Sequence, residues 1–378
     1  MNNQVKLKRI ELCGFKSYGK NQSVTLNNVN VLIGANGSGK SNFVSFLEMI
    51  SYLSSDGLAT YTGKNGFAPS ILYNGKGIDG RIKGTLTFSD GEKIDEYSLT
   101  LMAAAGGGLF IDEESIVYST RRHEEPYKKK LYSMSGVRSG LFGLSQKNKT
   151  AGIILKLLQG CRIFHFNDTT VTSKFRSPGY VFDNAYLRSE AGNLAAILYK
   201  LKTTEKYKPH YDRIVRTIRE VFACFDDFVF APESNDGYDS NIRLDWKEKG
   251  NEAIFGPHML SDGTIRFMAL TALLLQPEEM LPGVIILDEP EIGLHPYAIR
   301  TLRRMIRMAS KYSQLIIATQ SVSLINEFDC EDVIIAEYNQ NERSSIIRRL
   351  EKEQLKVWLE EYSLGELWEK NVLGGTPD

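Results

Sequence analysis

Apolar and polar residues alternate over positions 7–12 and 24–26, the period of strands with one buried face. Positions 29–33 are almost wholly apolar, as in a strand covered on both faces. Residues 42–50 read as a helix. A segment rich in Gly, Ser and Asn from 54 to 80 reads as loop. Alternation then returns at 84–88, 96–102 and 111–118, linked by turns such as Ser89, Asp90 and Gly91, which predicts an antiparallel sheet next to the first elements. Within a largely helical stretch over 185–222, interrupted around Pro209, Leu194, Ile197, Leu198 and Leu201 recur at helical spacing. Residues 241–255 alternate again. An apolar helix over 265–275 is stopped by Pro277, and aliphatic runs at 284–287 and 315–318 read as buried strands. Residues 296–311 form a helix with Leu302, Met305, Ile306 and Ala309 along one face. No heptad repeat is long enough for a coiled-coil arm. The class is α/β.

The first buried strand runs into Gly34, Ala35, Asn36, Gly37, Ser38, Gly39, Lys40 and Ser41, which fit G-x-x-x-x-G-K-[ST] at every fixed position. Gly34, Gly37 and Gly39 allow the backbone N–H groups to close around a polyphosphate. Lys40 neutralises the β/γ-phosphates, the Ser41 hydroxyl is placed for Mg²⁺, and the helix that starts at Asn42 adds its N-terminus to the nucleotide-binding set.

Net charge changes the picture by exclusion. Lys plus Arg and Asp plus Glu are equal at 46 each, so nucleic acid or acidic lipid would have to meet a local patch. One candidate patch is residues 121–149, where eight Lys/Arg stand against two Glu with Tyr127 and Tyr132 interleaved. It fits a phosphate-contacting loop or a solvated surface loop. The four cysteines have neither zinc-ligand nor disulfide-framework spacing, which points to a reducing cytoplasm. The N-terminus is polar and the longest apolar run, 267–275, is too short to span a bilayer, so no membrane partner is expected.

The aliphatic run 284–287 ends in Asp288 and Glu289, in the manner of a Walker B strand. Asp288 is placed to hold the Mg²⁺ shell and Glu289 to polarise the attacking water. Upstream, Leu260, Ser261, Asp262, Gly263 and Thr264 open the apolar helix and resemble the Leu-Ser-Gly-Gly-Gln signature of ATP-binding-cassette ATPases, with a hydroxyl and a glycine at a helix N-terminus facing a γ-phosphate. His295 stands at the Asp of the D-loop, and Gln320 where cassette ATPases carry a switch histidine. A Gln amide donates to a phosphate but carries no charge, so slow hydrolysis and a timed switch are expected. Arg300, Arg304, Arg307 and Lys311 form a stripe that suits DNA, an acidic partner or plain solvent.

Gly14 through Tyr18, followed by the 34–42 loop, resembles the N-terminus of the SMC/RecF-like branch of ABC ATPases. The segments 260–264, 287–296 and 318–321 are similar to the compact "predicted ATPase" members called AAA_21 or OLD-like, as is the ending 362–375 of a bacterial subgroup. The resemblance implies an ABC-type P-loop NTPase head with a mostly parallel core sheet, an antiparallel β lobe and a helical lobe. It would be a single domain over 1–378, with a lobe-forming insertion at about 54–240 (strands 84–118, basic loop 121–149, helices 185–222) and a C-terminal ATPase half over 241–378. It implies ATP and Mg²⁺ as cofactors and a homodimer that sandwiches ATP, with Ser261, Asp262, Gly263 and Thr264 acting in trans; a higher oligomer is left open. Gln146 and Gln159 are both candidates for the Q-loop glutamine. Only about fifty residues follow Gln320 and Ser321, too few for the Toprim domain of OLD nucleases.

Two functions follow as expectations. One is a slow, ATP-driven sensor for a separately encoded effector, as in bacterial anti-phage systems. The other is a RecF-like clamp that closes on DNA through 121–149 or the Arg300 helix. A transporter subunit fits worse, given Gln320, His295 and the long insertion between Lys40 and Ser261.

Overall fold

The computed structural model describes residues 5–77, 79–120, 125–132, 136–170, 172–231, 233–235 and 239–374. Parts of the basic segment, 121–124 and 133–135, and Gly375 of the C-terminal resemblance lie outside the described residues. The chain divides into two compact units, one of residues 1–162, 283–286 and 316–378 and the other of 163–282 and 287–315.

In the first unit, β1 (Lys6–Cys13), β2 (Gln22–Thr25), β4 (Arg81–Ser89), β5 (Lys93–Ala103), β6 (Leu109–Thr120) and β7 (Tyr127–Leu131) form one antiparallel sheet in the order β2-β1-β4-β5-β6-β7. Its alternation puts Leu7, Ile10, Leu86, Phe88, Tyr97 and Ile116 on the buried face. The fully buried β3 (Val29–Ile33) is followed by α1 (Lys40–Leu53), whose Phe43, Phe46, Leu47 and Ile50 are all buried.

Residues 54–80 are not the loop expected. They hold α2 (Leu58–Lys64) and α3 (Phe67–Ile71), because Leu58 and Tyr61, then Ala68 and Ile71, recur at a spacing of three and are buried. The glycines that suggested a loop flank these helices at Gly57 and Gly66. The basic segment is likewise not a plain loop. It contains β7, α4 (Gly140–Ser145) and the start of α5 (Lys149–Gln159), capped by the Ser139 and Asn148 side chains.

A second six-stranded sheet has the order β18-β17-β3-β16-β15-β8. Here β8 is Cys161–Phe164, β15 Val284–Asp288, β16 Gln314–Ala318, β17 Val333–Asn339 and β18 Ser344–Arg349. β17 pairs parallel with β3 and antiparallel with β18.

In the second unit β9 (Gly179–Tyr180) joins β11 (Glu233–Asn235) and β12 (Asp239–Ile242), and β10 (Phe225–Val229) joins β13 (Asp245–Glu248) and β14 (Ile254–Phe255). Helices α6 (Leu194–Thr203) and α7 (Lys208–Val221) begin later than the expected start at 185, and the break before Pro209 is present. They pack with α8 (Asp262–Leu275) and α9 (Pro296–Ala309). Every residue of α8 from Ile265 to Leu275 is buried.

Candidate functional site: a phosphate loop and a signature helix

Between β3 and α1 three glycines take left-handed φ: Gly34 at 154°, Gly37 at 80° and Gly39 at 115°. Space forbids a side chain at two of them as well. A Cβ on Gly34 would lie 2.2 Å from the Ala336 carbonyl oxygen of β17, and one on Gly39 2.5 Å from Ser345 Oγ of β18. The loop is therefore pressed onto the neighbouring strands, and its outer side, Asn36, Gly37 and Ser41, is exposed.

Lys40 is 5 % exposed and its Nζ donates to the carbonyl oxygens of Gly34 at 2.6 Å and Ala35 at 2.9 Å, which holds the ammonium over the loop. Ser38 is buried, and its hydroxyl has no hydrogen-bond partner. Such an orphan costs roughly 1–3 kcal/mol. The N-cap of α1 is Gly39, which supplies no side-chain cap and leaves first-turn N–H groups for an anion. A glycine cradle, an ammonium, an unpaired hydroxyl and an uncapped helix N-terminus fit a polyphosphate.

The Gly14–Tyr18 turn braces this loop from behind. Tyr18 Oη donates to the Gly39 carbonyl at 3.0 Å, Asn42 Nδ2 donates to Ser17 Oγ at 2.8 Å, and Ser345 Oγ donates to the same oxygen at 2.8 Å. Lys16 Nζ donates to Ser45 Oγ of α1 at 2.7 Å, and burial holds this lysine below its ordinary pKa. Gln320 follows β16 in the same unit. Its neighbours fix it: the Thr319 N–H donates to the Leu32 carbonyl at 3.0 Å, and Ser321 caps α10 (Val322–Ile325).

Both Q-loop candidates lie at the C-terminal ends of helices. Gln159 Nε2 donates to the Ser54 carbonyl at 2.9 Å, and Gln146 is the C-terminal cap residue of α4.

The second unit holds the signature segment and the acids. Ser261 is the N-cap of α8: its Oγ accepts from the Thr264 N–H at 3.2 Å and lies 2.8 Å from Thr264 Oγ1. Ser261 and Asp262 are exposed at the helix end. Any side chain at Gly263 forces the backbone to shift, since a Cβ would sit 2.2 Å from the carbonyl oxygen of Gly293, itself at φ 75°. The signature and D-loop segments thus touch backbone to backbone. Asp288 ends β15, and Glu289 sits at φ 48°, a strained setting for a non-glycine residue. His295 is the N-cap of α9, its Nδ1 accepting from the Tyr297 N–H at 3.2 Å. In the Arg300 stripe, Arg304 is taken by Glu220 at 2.6 Å, which weakens the case for a binding face there.

Two arginines that motif reading missed hold these segments. Arg176, its side chain 8 % exposed, donates through Nη1 to the carbonyls of Pro257 and Leu260 and through Nη2 to Asp262 at 2.8 Å. Arg266, inside α8, is 4 % exposed and donates to the carbonyls of Phe166 and Ile292; burial lowers its pKa. Their partners lie far along the chain, so no local pattern marks them.

Residues 29–326 match the AAA_21 family, described as "AAA domain, putative AbiEii toxin, Type IV TA system". The chain belongs to the AAA_21 family. Its fold is that of an SMC-type ATPase head. This AAA_21 chain is 31% identical over 138 residues to the energy-coupling factor transporter ATP-binding protein EcfA1 of Methanospirillum hungatei, a match that covers 32% of the chain and 48% of that protein. It is 27% identical over 167 residues to the corresponding EcfA of Methanocaldococcus jannaschii, covering 40% and 57%. The chain thus spans about half the length of the curated relatives it matches. Its fold is similar to the Smc head solved with the C-terminal winged-helix domain of ScpA, at TM-score 0.58 and 16% identity over 93% of this chain and 99% of that one. It is also similar to an Smc head with an extended coiled coil, bound to the C-terminal domain of ScpA from Pyrococcus furiosus, at TM-score 0.53 and 15% identity over 94% and 99%. Those likenesses establish the ATPase-head fold. No helix among the described residues is long and apolar enough to cross a membrane.

Proposed function

We propose that this AAA_21 protein binds ATP with Mg²⁺ in the 34–42 loop, pairs head to tail with a second copy around two nucleotides, and hydrolyses them slowly. We read its role as a sensor or regulator for a separately encoded effector in bacterial anti-phage defence, working in the cytoplasm as one ATPase domain. The observation that carries the nucleotide reading is the loop itself, with its glycine cradle, the Lys40 ammonium and the unpartnered Ser38 hydroxyl.

In this reading bound ATP supplies the scissile phosphoanhydride, and Mg²⁺ its charge neutralisation. Lys40 and the loop N–H groups hold the phosphates, Ser41 and Asp288 supply oxygen ligands of the kind Mg²⁺ takes, and Glu289 orients water and takes its proton. Ser261, Gly263 and Thr264, with the Asp262 carboxylate paired to Arg176, present the N-terminal turn of α8 to the partner copy's nucleotide. Support for slow turnover comes from Gln320, an amide that adds no positive charge, and from His295, whose imidazole is engaged in capping α9. A paired-gene arrangement agrees with the toxin–antitoxin wording attached to the family. The EcfA likeness spans too little of the chain to support transport.

The test is to express tagged Glu289→Gln protein with its native gene neighbours and identify by mass what co-purifies in ATP. A stoichiometric protein supports the effector reading. Absence of any neighbouring gene product in every nucleotide state sinks it.

A further inference from the structure

A cavity of about 700 Å³ opens in the first unit between the edge strand β7 and helix α4. Its α4 wall is fixed by Glu114 of β6. This carboxylate, 3 % exposed, accepts from the Tyr97 hydroxyl at 2.6 Å, the Ser139 hydroxyl and the Gly140 N–H at 2.8 Å. Four cations line the cavity: Lys129, Lys130, Arg138 and Lys147. Arg138 is paired with Asp56 at 3.1 Å, and Lys130 lies 3.9 Å from Glu113. Lys129 and Lys147 have no ion pair among the described residues and are the surplus charge.

Lysines on an edge strand also serve to block strand addition, and that accounts for β7. It does not account for Lys147, which comes from the α4–α5 connection, nor for Tyr132. That ring, 83 % exposed, is the most exposed of the large hydrophobic side chains among the described residues. Surplus ammonium groups around a concavity, with a bare aromatic face on its lining, are the parts that recognise single-stranded nucleic acid: phosphates on the cations, an unstacked base on the ring. A duplex keeps its base faces covered and leaves Tyr132 unused.

We propose that this cavity binds single-stranded nucleic acid, with Lys129 and Lys147 on phosphates and Tyr132 stacked on a base. The proposal is independent of the nucleotide reading, since it uses no residue of the 34–42 loop. The test is fluorescence anisotropy of the full chain without ATP, across a salt series from about 50 mM, with labelled oligothymidylate, oligouridylate and duplex of about 20 nucleotides. Tighter binding of either single strand than of the duplex is expected, and the two single-strand arms tell DNA from RNA. Lys129→Ala with Lys147→Ala should lower the slope of log K against log salt by about 1.4, at about 0.7 per phosphate contact. Tyr132→Ala should weaken binding by roughly 5- to 150-fold while Tyr132→Phe retains it. These positions are exposed, and circular dichroism checks that the variants fold. The proposal is overturned by no single-strand binding at low salt, by binding that ignores all three variants, by duplex bound as tightly as single strand, or by equal displacement with polyglutamate, which would assign the patch to an acidic protein.

Discussion

Replacing Gly263 by alanine tests whether the signature helix and the D-loop form one packed piece. The added methyl carbon would start 2.2 Å from the Gly293 carbonyl oxygen, a backbone atom that no rotamer change can move. An ordinary carbon–oxygen contact is about 3.3 Å, so the first turn of α8 and the 291–294 turn must part by roughly 1 Å. Forced overpacking of this kind costs about 1–3 kcal/mol. A shift of that size in a positioning segment lowers turnover by roughly a hundredfold. Gly63→Ala is the control. Gly63 lies within α2 with nothing within 4 Å of its Cβ position, and alanine there should stabilise by about 0.5–1 kcal/mol. The same chemical change thus carries opposite signs at the two sites. Denaturant midpoints for both variants, with phosphate release measured beside them, read the difference. If Gly263→Ala is as stable and as active as the parent, the backbone contact does not constrain the signature helix and the reasoning fails.

Other perturbations probe the remaining parts. Lys40→Ala should abolish ATP binding or weaken it at least tenfold in equilibrium dialysis, since a buried cation over the loop is lost; retained affinity would remove Lys40 from the site. Arg176→Gln should free the 257–262 segment from its clamp, lowering ATP-dependent pairing while leaving binding of ATP to the monomer unchanged; equal pairing would make Arg176 merely structural. Asp95 on β5 is buried with one oxygen lacking a partner, and burial, reinforced by Asp90, pushes its pKa up to about 6. A raised carboxylate pKa means that ionisation costs stability above pH 6 and the cost vanishes as pH falls toward 4. Asp95→Asn should therefore stabilise by on the order of 2 kcal/mol at pH 7.5 and by nothing near pH 4. A pH-independent difference would contradict the assignment.

The phosphate loop was legible because its chemistry is local. Strand, glycines, lysine and helix follow one another within residues 29–53, and each glycine is forced by φ or by a neighbour that any such loop meets. The antiparallel strands were legible for the same reason, since alternation is a property of consecutive residues. Residues 54–80 misled because glycine content outweighed a faint three-residue spacing at Leu58, Tyr61, Ala68 and Ile71. β7 was hidden because an edge strand exposed on both faces, Tyr127 to Lys130, shows no alternation at all. Arg176 and Arg266 were invisible for a different cause: their partners, Leu260, Asp262, Phe166 and Ile292, are distant in sequence, so only the fold brings them together. The sequence also marked His295 only as a departure from a pattern; its capping of α9 needed coordinates.

The central claim, that two copies close around ATP through the signature helix, is tested most directly by the mass of the Glu289→Gln protein in solution, measured by light scattering with and without Mg-ATP. The account predicts a monomer without nucleotide and a dimer with it, and a monomer in both conditions once Ser261→Arg is added. A mass that does not respond to ATP, or a dimer untouched by Ser261→Arg, would contradict it.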